Sequence, residues 1–189
     1  MSSKTGQELL TAAEFLELEL PKDGDNDYEL IAGRLALKSR LGISGKPGRV
    51  IFKLSKMLAD FLETRPLGRV FTMIPTNLGQ PQGRTYVEPD ISFISADTYP
   101  WDITGYLPVS PDFVAEVWSP TDTAEKIQSK IQAYLFAGVH LIWSIYLAEK
   151  QVEVFWQNEP ATELFDINGE LDGEDVIPGF KLAVREIFE

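Results

Sequence analysis

Two acidic side chains stand in strongly apolar surroundings. Asp90 precedes Ile91, Phe93 and Ile94, and Glu116 lies inside the run FVAEVW at 113–118. A carboxylate in a central strand is unfavourable by several kcal/mol unless it is hydrogen-bonded, ion-paired or bound to a metal. Neighbouring strands lie about 4.8 Å apart, so the ends of adjacent strands can bring two carboxylates onto one divalent cation. The chain has no Cys and a single His, His140, which excludes thiolate and multi-His zinc sites. Hard oxygen ligands favour Mg²⁺ or Mn²⁺. Such an ion can polarise a phosphoryl group, activate a water and stabilise a leaving oxygen.

Strand alternation selects among the neighbouring groups. Glu88 and Asp90 are two apart and share a face. Asp90, closer to the apolar run, is the better ligand, with Glu88 secondary. Val114, Glu116 and Trp118 share one face of their strand, and Phe113, Ala115 and Val117 share the other. The carbonyl of Val117 is a further candidate ligand, because backbone oxygens serve hard ions. The next helix carries Lys126 and Lys130, and Lys130 and Tyr134, four apart, share one face. If that face meets the carboxylates, Lys130 orients a water and stabilises anionic charge, and Tyr134 bonds within the site or touches substrate. If the face is solvated, both are ordinary surface groups. His140 reads as structural.

These positions require a sheet with helices on both faces. TAAEFLELEL opens with Thr11 and Glu14 in capping-box spacing. YELIAGRLAL reads as a hairpin about Gly33, with Tyr28, Leu30, Leu35 and Leu37 turned inward. From Arg49, Val50, Leu54, Met57, Leu58, Phe61 and Leu62 recur at helical spacing until Pro66. VFTMIPTNL and TYVEPDISFIS read as neighbouring strands, with an irregular point at Pro89. FVAEVW suits a central strand. The following helix starts with Asp122 and Glu125 in capping-box spacing and ends at Gly138. HLIWSIYLA, QVEVFWQ and ELFDI add strands, and FKLAVREIF docks as a strand or helix. The expectation is one α/β domain over 1–189, with an N-terminal helical extension at 1–27 and C-terminal strands and tail at 149–189.

The net charge of −12 opposes a nucleic-acid partner when taken as a whole. Its distribution does not. Residues 31–70 carry nine basic and two acidic groups, a net of +7, while 1–30 carry −6 and 149–176 carry −8. Screening limits the reach of distant carboxylates to about 8 Å at physiological salt. The Gly-rich LGISGKPG lacks the lysine followed by Ser or Thr of a phosphate loop, which argues against that type of nucleotide hydrolase. No run approaches the roughly 20 apolar residues of a membrane span, and no basic-then-apolar leader opens the chain. A cytoplasmic location is expected.

From Tyr28 to Phe188 the chain resembles the Uma-family putative restriction endonucleases, a group abundant in cyanobacteria. YELIAGRL, EPDISFIS, PDFVAEVWSPTDT, KIQAYLFAGV and IPGFKLAV carry the likeness, in that order. The resemblance implies a restriction endonuclease-like PD-(D/E)XK core, a mixed β-sheet flanked by helices. It also implies Glu29 as an opening acid, Asp90 and Glu116 as metal-binding carboxylates, and Lys130 as a lysine displaced onto the helix. Trp118 stands where the simple (D/E)XK pattern has its lysine, so activity depends on Lys130. The implied function is Mg²⁺- or Mn²⁺-dependent hydrolysis of DNA by a homodimer. The alternative is a catalytically silent module of the same fold that binds nucleic acid or protein.

Overall fold

Thr11 begins the first helix as its spacing requires. Its hydroxyl accepts the Glu14 N–H, and the Glu14 carboxylate accepts the Thr11 N–H at 2.7 Å. The computed structural model describes residues 9–20, 26–39, 45–79, 83–99, 103 and 105–189. Trp101, Arg40 and Gly42 lie outside the described residues, as does most of the polar turn after Pro21. The elements begin with α1 (Ala12–Glu17), β1 (Asn26–Ile31), β2 (Arg34–Ser39) and α2 (Lys46–Leu62). Next come β3 (Gly68–Thr72), β4 (Thr76–Asn77), β5 (Tyr86–Val87), β6 (Ile91–Ser95) and β7 (Phe113–Trp118). α3 (Ala124–Phe136), β8 (Leu141–Tyr146), β9 (Gln151–Trp156) and β10 (Thr162–Phe165) follow, and β11 (Glu170–Asp172), β12 (Lys181–Ala183) and α4 (Val184–Phe188) close the chain.

A six-stranded sheet runs in the order β10-β9-β8-β7-β6-β3. β7 and β8 are parallel and the other pairs antiparallel. A parallel pair needs a crossover, and α3 supplies it. β7 is buried along its whole length. Phe113, Ala115 and Val117 pack with Phe93, Trp143 and the α2 residues Ile51, Leu54 and Leu58. Val114 packs with Ile142 and the α3 residues Ile131, Ala133 and Tyr134 on the opposite face. The chain is therefore mixed α/β with helices on both faces, as expected. The C-terminal tail docks on the α2 side through Leu171, Leu182, Val184 and Ile187.

Two expected strands are each broken, and the breaks meet. The run from Val70 divides into β3 and β4 at Met73, whose φ is 49°. The run from Thr85 divides into β5 and β6 across Glu88, Pro89 and Asp90. The Met73 N–H lies 3.1 Å from the Pro89 carbonyl and 3.2 Å from that of Asp90. Both strands leave the large sheet together, and β4 and β5 join a second sheet of order β2-β1-β5-β4. Pro89 has no N–H to continue the ladder.

The β1–β2 hairpin turns at Ala32 and Gly33, with φ of 50° and 79°, the positive pair of a tight hairpin turn. Leu30 is buried beneath Ala12 and Phe15. Leu35 and Leu37, expected inward, are 42% and 49% exposed. They share a face with Leu30 and Tyr28, but their strand is the sheet edge and six-residue α1 packs over β1. The N-cap of α3 is Thr123, which accepts the Lys126 N–H. Asp122 instead accepts the Ser119 N–H and pairs with Lys126. At the other end, bonds from the Gly138 N–H to Leu135 and the Val139 N–H to Tyr134 make the paired closure of a glycine-terminated helix.

Candidate active site

The crossover brings α3 onto the face of β7 that carries Glu116. Lys130, buried to 2% exposure, places Nζ 2.8 Å from Glu116 Oε1 and 2.9 Å from Glu29 Oε1. One helical turn on, the Tyr134 hydroxyl donates to Glu116 Oε1. Glu29 arrives from β1, and its Oε1 also accepts the Glu88 N–H at 2.8 Å. Its Oε2 is buried and finds no hydrogen-bond donor among the described residues.

Asp90 takes its place because the β6–β7 ladder ends at Ile91 opposite Ala115. Beyond that point the Val117 N–H has no strand partner on this side, and Asp90 Oδ2 accepts it at 2.8 Å. In an antiparallel pair the N–H and C=O of one residue face the same neighbour. The Val117 carbonyl therefore points to the Asp90 side of β7. Glu29, Asp90, Glu116, Val117 and Lys130 line a common cavity of about 50 Å³, and Lys38 and Lys126 line it too.

Charge and burial oppose each other here. Burial raises the Glu116 carboxyl to about 7, against the pull of Lys130, while Asp90 and Glu29 add repulsion. Burial also raises Asp90, partly offset by Lys130 and Lys38. Burial acts the same way on Glu29, but Lys130, Lys38 and the Glu88 N–H outweigh it, and its carboxyl falls below the usual range. Burial disfavours the Lys130 ammonium, yet Glu116, Glu29 and Asp90 overcome this and raise its pKa. Burial and the neighbouring Glu116 hold the Tyr134 phenol well above its ordinary value. The set is a protonated lysine among three carboxylates that differ in proton affinity.

The expected residues Glu29, Asp90, Glu116, Val117, Lys130 and Tyr134 are thus drawn together from three elements and one break. Glu88 turns to Lys38, whose Nζ is 3.1 Å from its Oε1 and 2.6 Å from its carbonyl. Lys38 was not legible as a site residue by type alone. The hairpin register was the usable signal, since it pairs Glu29 with Ala36 and Asp27 with Lys38 and so sets Lys38 on the Glu29 face. His140 is 56% exposed and 3.7 Å from Asp112, away from the cavity. Trp118 and Trp143 are buried, as expected of packing residues, and Trp118 Nε1 donates to Ser144 at 2.7 Å.

A family model described as Uma2, putative restriction endonuclease, matches residues 12–185. The chain belongs to the Uma2 family. The resemblance read from its ordered motifs is borne out. Among solved structures, a putative nuclease belonging to DUF820 from Anabaena variabilis superposes with a TM-score of 0.81 at 22% identity. The match covers 95% of this chain and 97% of that one, and at such identity the likeness is one of fold. No curated protein matches the chain. For this Uma2 chain the restriction endonuclease-like fold expected from sequence therefore holds, and the family membership is that of a nuclease.

Proposed function

We propose that this Uma2 protein is a Mg²⁺- or Mn²⁺-dependent endonuclease that hydrolyses phosphodiester bonds in DNA. The observation that carries the reading is Lys130, a buried cation between Glu29 and Glu116 on the cavity that Asp90 also lines. Among the described residues no three His, Cys, Asp or Glu side chains form a ready metal cluster. The donor set nevertheless suits a hard cation, because it is all oxygen. Hydrogen bonds engage Asp90 through Oδ2 and Glu116 through Oε1, so Asp90 Oδ1, Glu116 Oε2 and the Val117 carbonyl are the atoms that would hold it. A bound divalent cation would polarise the phosphoryl oxygen and acidify a water.

The chain's own groups do the rest. An ammonium has three donors, and Lys130 directs two to carboxylates, leaving one for a water or a phosphoryl oxygen. Its raised pKa keeps it charged, so it acts as an electrostatic stabiliser and not as a proton acceptor. Tyr134 holds Glu116 in place and Glu29 holds Lys130. These are positioning roles. Plasmid DNA incubated with Mg²⁺ should be nicked or linearised, and Asp90→Ala and Lys130→Ala should each abolish cleavage. Cleavage that survives both substitutions would sink this site.

One observation favours a silent module instead. The cavity holds only about 50 Å³, and Lys130 already pairs with two of its three central carboxylates, Glu29 and Glu116. Salt-dependent DNA binding with no turnover in Mg²⁺ or Mn²⁺ would support that alternative. We also propose a homodimer, which would pair two sites against two strands. Among the described residues no helix is long and apolar enough to cross a membrane.

A further inference from the structure

A groove of about 650 Å³ lies between α2 and β3, the edge strand of the six-stranded sheet. Ile51 lines both this groove and the candidate active-site cavity. At its β3 end stands Met73, whose N–H is 3.2 Å from the Asp90 carbonyl. The groove therefore ends one backbone hydrogen bond away from the residue proposed to hold the cation.

Its chemistry is unusual for a chain of net charge −12 with 29 acidic residues. Among the described residues no carboxylate lines it. Phe52 projects from its α2 wall with 71% of its surface exposed. Beside Phe52, Lys46, Arg49, Lys53 and Lys56 recur along α2 at three- to four-residue spacing and so form one stripe. Arg49 donates to the Glu189 carbonyl, and Lys56 pairs with Asp60 at 2.5 Å. That second pair is about 60% exposed on both sides, so a phosphate can compete for the lysine. An exposed ring beside a cationic stripe is the combination that holds single-stranded nucleic acid, with the base on the ring and the phosphates on the cations.

We propose that this groove holds an unpaired DNA strand, with a base stacked on Phe52 and its backbone along Lys53 and Lys56, and leads it to Asp90. The inference rests on the nuclease reading for its direction but concerns binding. A paired base has its faces covered by its neighbours, so a frayed, looped or single-stranded segment fits better than intact duplex.

The test measures binding in EDTA, by fluorescence anisotropy of a labelled single-stranded oligodeoxynucleotide and of a hairpin duplex, over a series of salt concentrations. Full-length wild type is compared with Phe52→Ala, Lys53→Glu and Lys56→Glu. Phe136→Ala on α3 and Lys150→Glu in the β8–β9 turn, both exposed, serve as controls. Each variant's fold is checked by circular dichroism and melting. Phe52→Ala should weaken single-strand binding about tenfold and duplex binding less. Each lysine reversal should weaken binding and reduce the log–log salt slope by about 0.7 or more. Affinities equal to wild type in all three folded variants would overturn the proposal. So would equal losses in the two controls, or lysine effects with no effect of Phe52→Ala. Turnover with Mg²⁺ is scored separately. Cleavage with an unaffected groove defeats this inference alone, and groove-dependent binding without cleavage defeats the nuclease reading alone.

Discussion

Lys130→Met keeps the buried stem and removes the charge, and its effect on stability should depend on pH. In the wild type, Lys130 is 2.8 Å from Glu116 and 2.9 Å from Glu29, and all three side chains are almost fully buried. Removing one partner of a buried pair is destabilising by roughly 3–5 kcal/mol, because the remaining charge is left without compensation. Glu116 has an escape, since its carboxyl already sits at about 7 and the loss of Lys130 raises it further. At pH 5.5 the variant should hold a proton on Glu116 and lose less stability. At pH 8.5 it must either keep two uncompensated carboxylates or bind that proton against the solution. Wild-type Glu116 holds its own proton up to about 7, so the added loss grows mainly above that value, by up to about 1.4 kcal/mol per unit of pH for one proton. Lys130 itself adds no slope there in the wild type. Its pKa is raised above 10.5, so its contribution is fully present below 10.5 and constant across this window. Glu29 is lowered below 4.5, so its contribution is complete above 4.5 and also constant. Urea unfolding followed by tryptophan fluorescence at the two pH values measures the difference. A loss under about 1 kcal/mol at pH 8.5, or one equal at both pH values, would refute the claim that Lys130 compensates these carboxylates.

The metal-free wild type should itself show the Glu116 effect. A carboxyl raised from 4.5 to about 7 contributes stability that is present below 4.5 and lost as pH rises through about 7. Mn²⁺ should therefore raise the melting temperature more at pH 8 than at pH 5.5, and an equal rise would contradict cation binding at Glu116. Asp90→Ala should cost about 1–3 kcal/mol by stranding the Val117 N–H, besides abolishing cleavage, and Asp90→Asn should recover part of that stability without the cleavage. A methyl group at Gly68 would meet the Ile94 carbonyl at 2.1 Å and the Phe93 ring at 2.7 Å, so Gly68→Ala should lower stability by about 1–3 kcal/mol in urea unfolding. Light scattering should give twice the chain mass of 21.2 kDa. A monomer at micromolar concentration would reject the homodimer.

Much of the site was legible from residue type and period. Glu116 inside an apolar strand and Lys130 and Tyr134 four apart on a helix are local facts, and strand and helix periods turn them into faces. The ordered motifs assigned the family and with it the fold. Local pattern also yielded the capping box at Thr11 and Glu14 and the glycine end of α3. What it could not yield was the outcome of competition between segments. Asp122 had the spacing of a cap, but Thr123 caps and Asp122 is taken by Lys126 and the Ser119 N–H. Leu35 and Leu37 had the pattern of buried residues, yet on an edge strand, with nothing among the described residues packed over that part of the face, they are exposed. The paired breaks at Met73 and Pro89 form only when two strands change sheet together, and that corner ends the β6–β7 ladder and frees Val117 for Asp90. Lys38 and the α2–β3 groove likewise depend on which elements meet. By itself the sequence determined which side chains resist burial and which faces of their elements carry them. Only the tertiary structure decided that a helix crossing between parallel strands would lay one lysine between Glu29 and Glu116, because ion pairing acts over a few ångströms and chain separation says nothing about that distance.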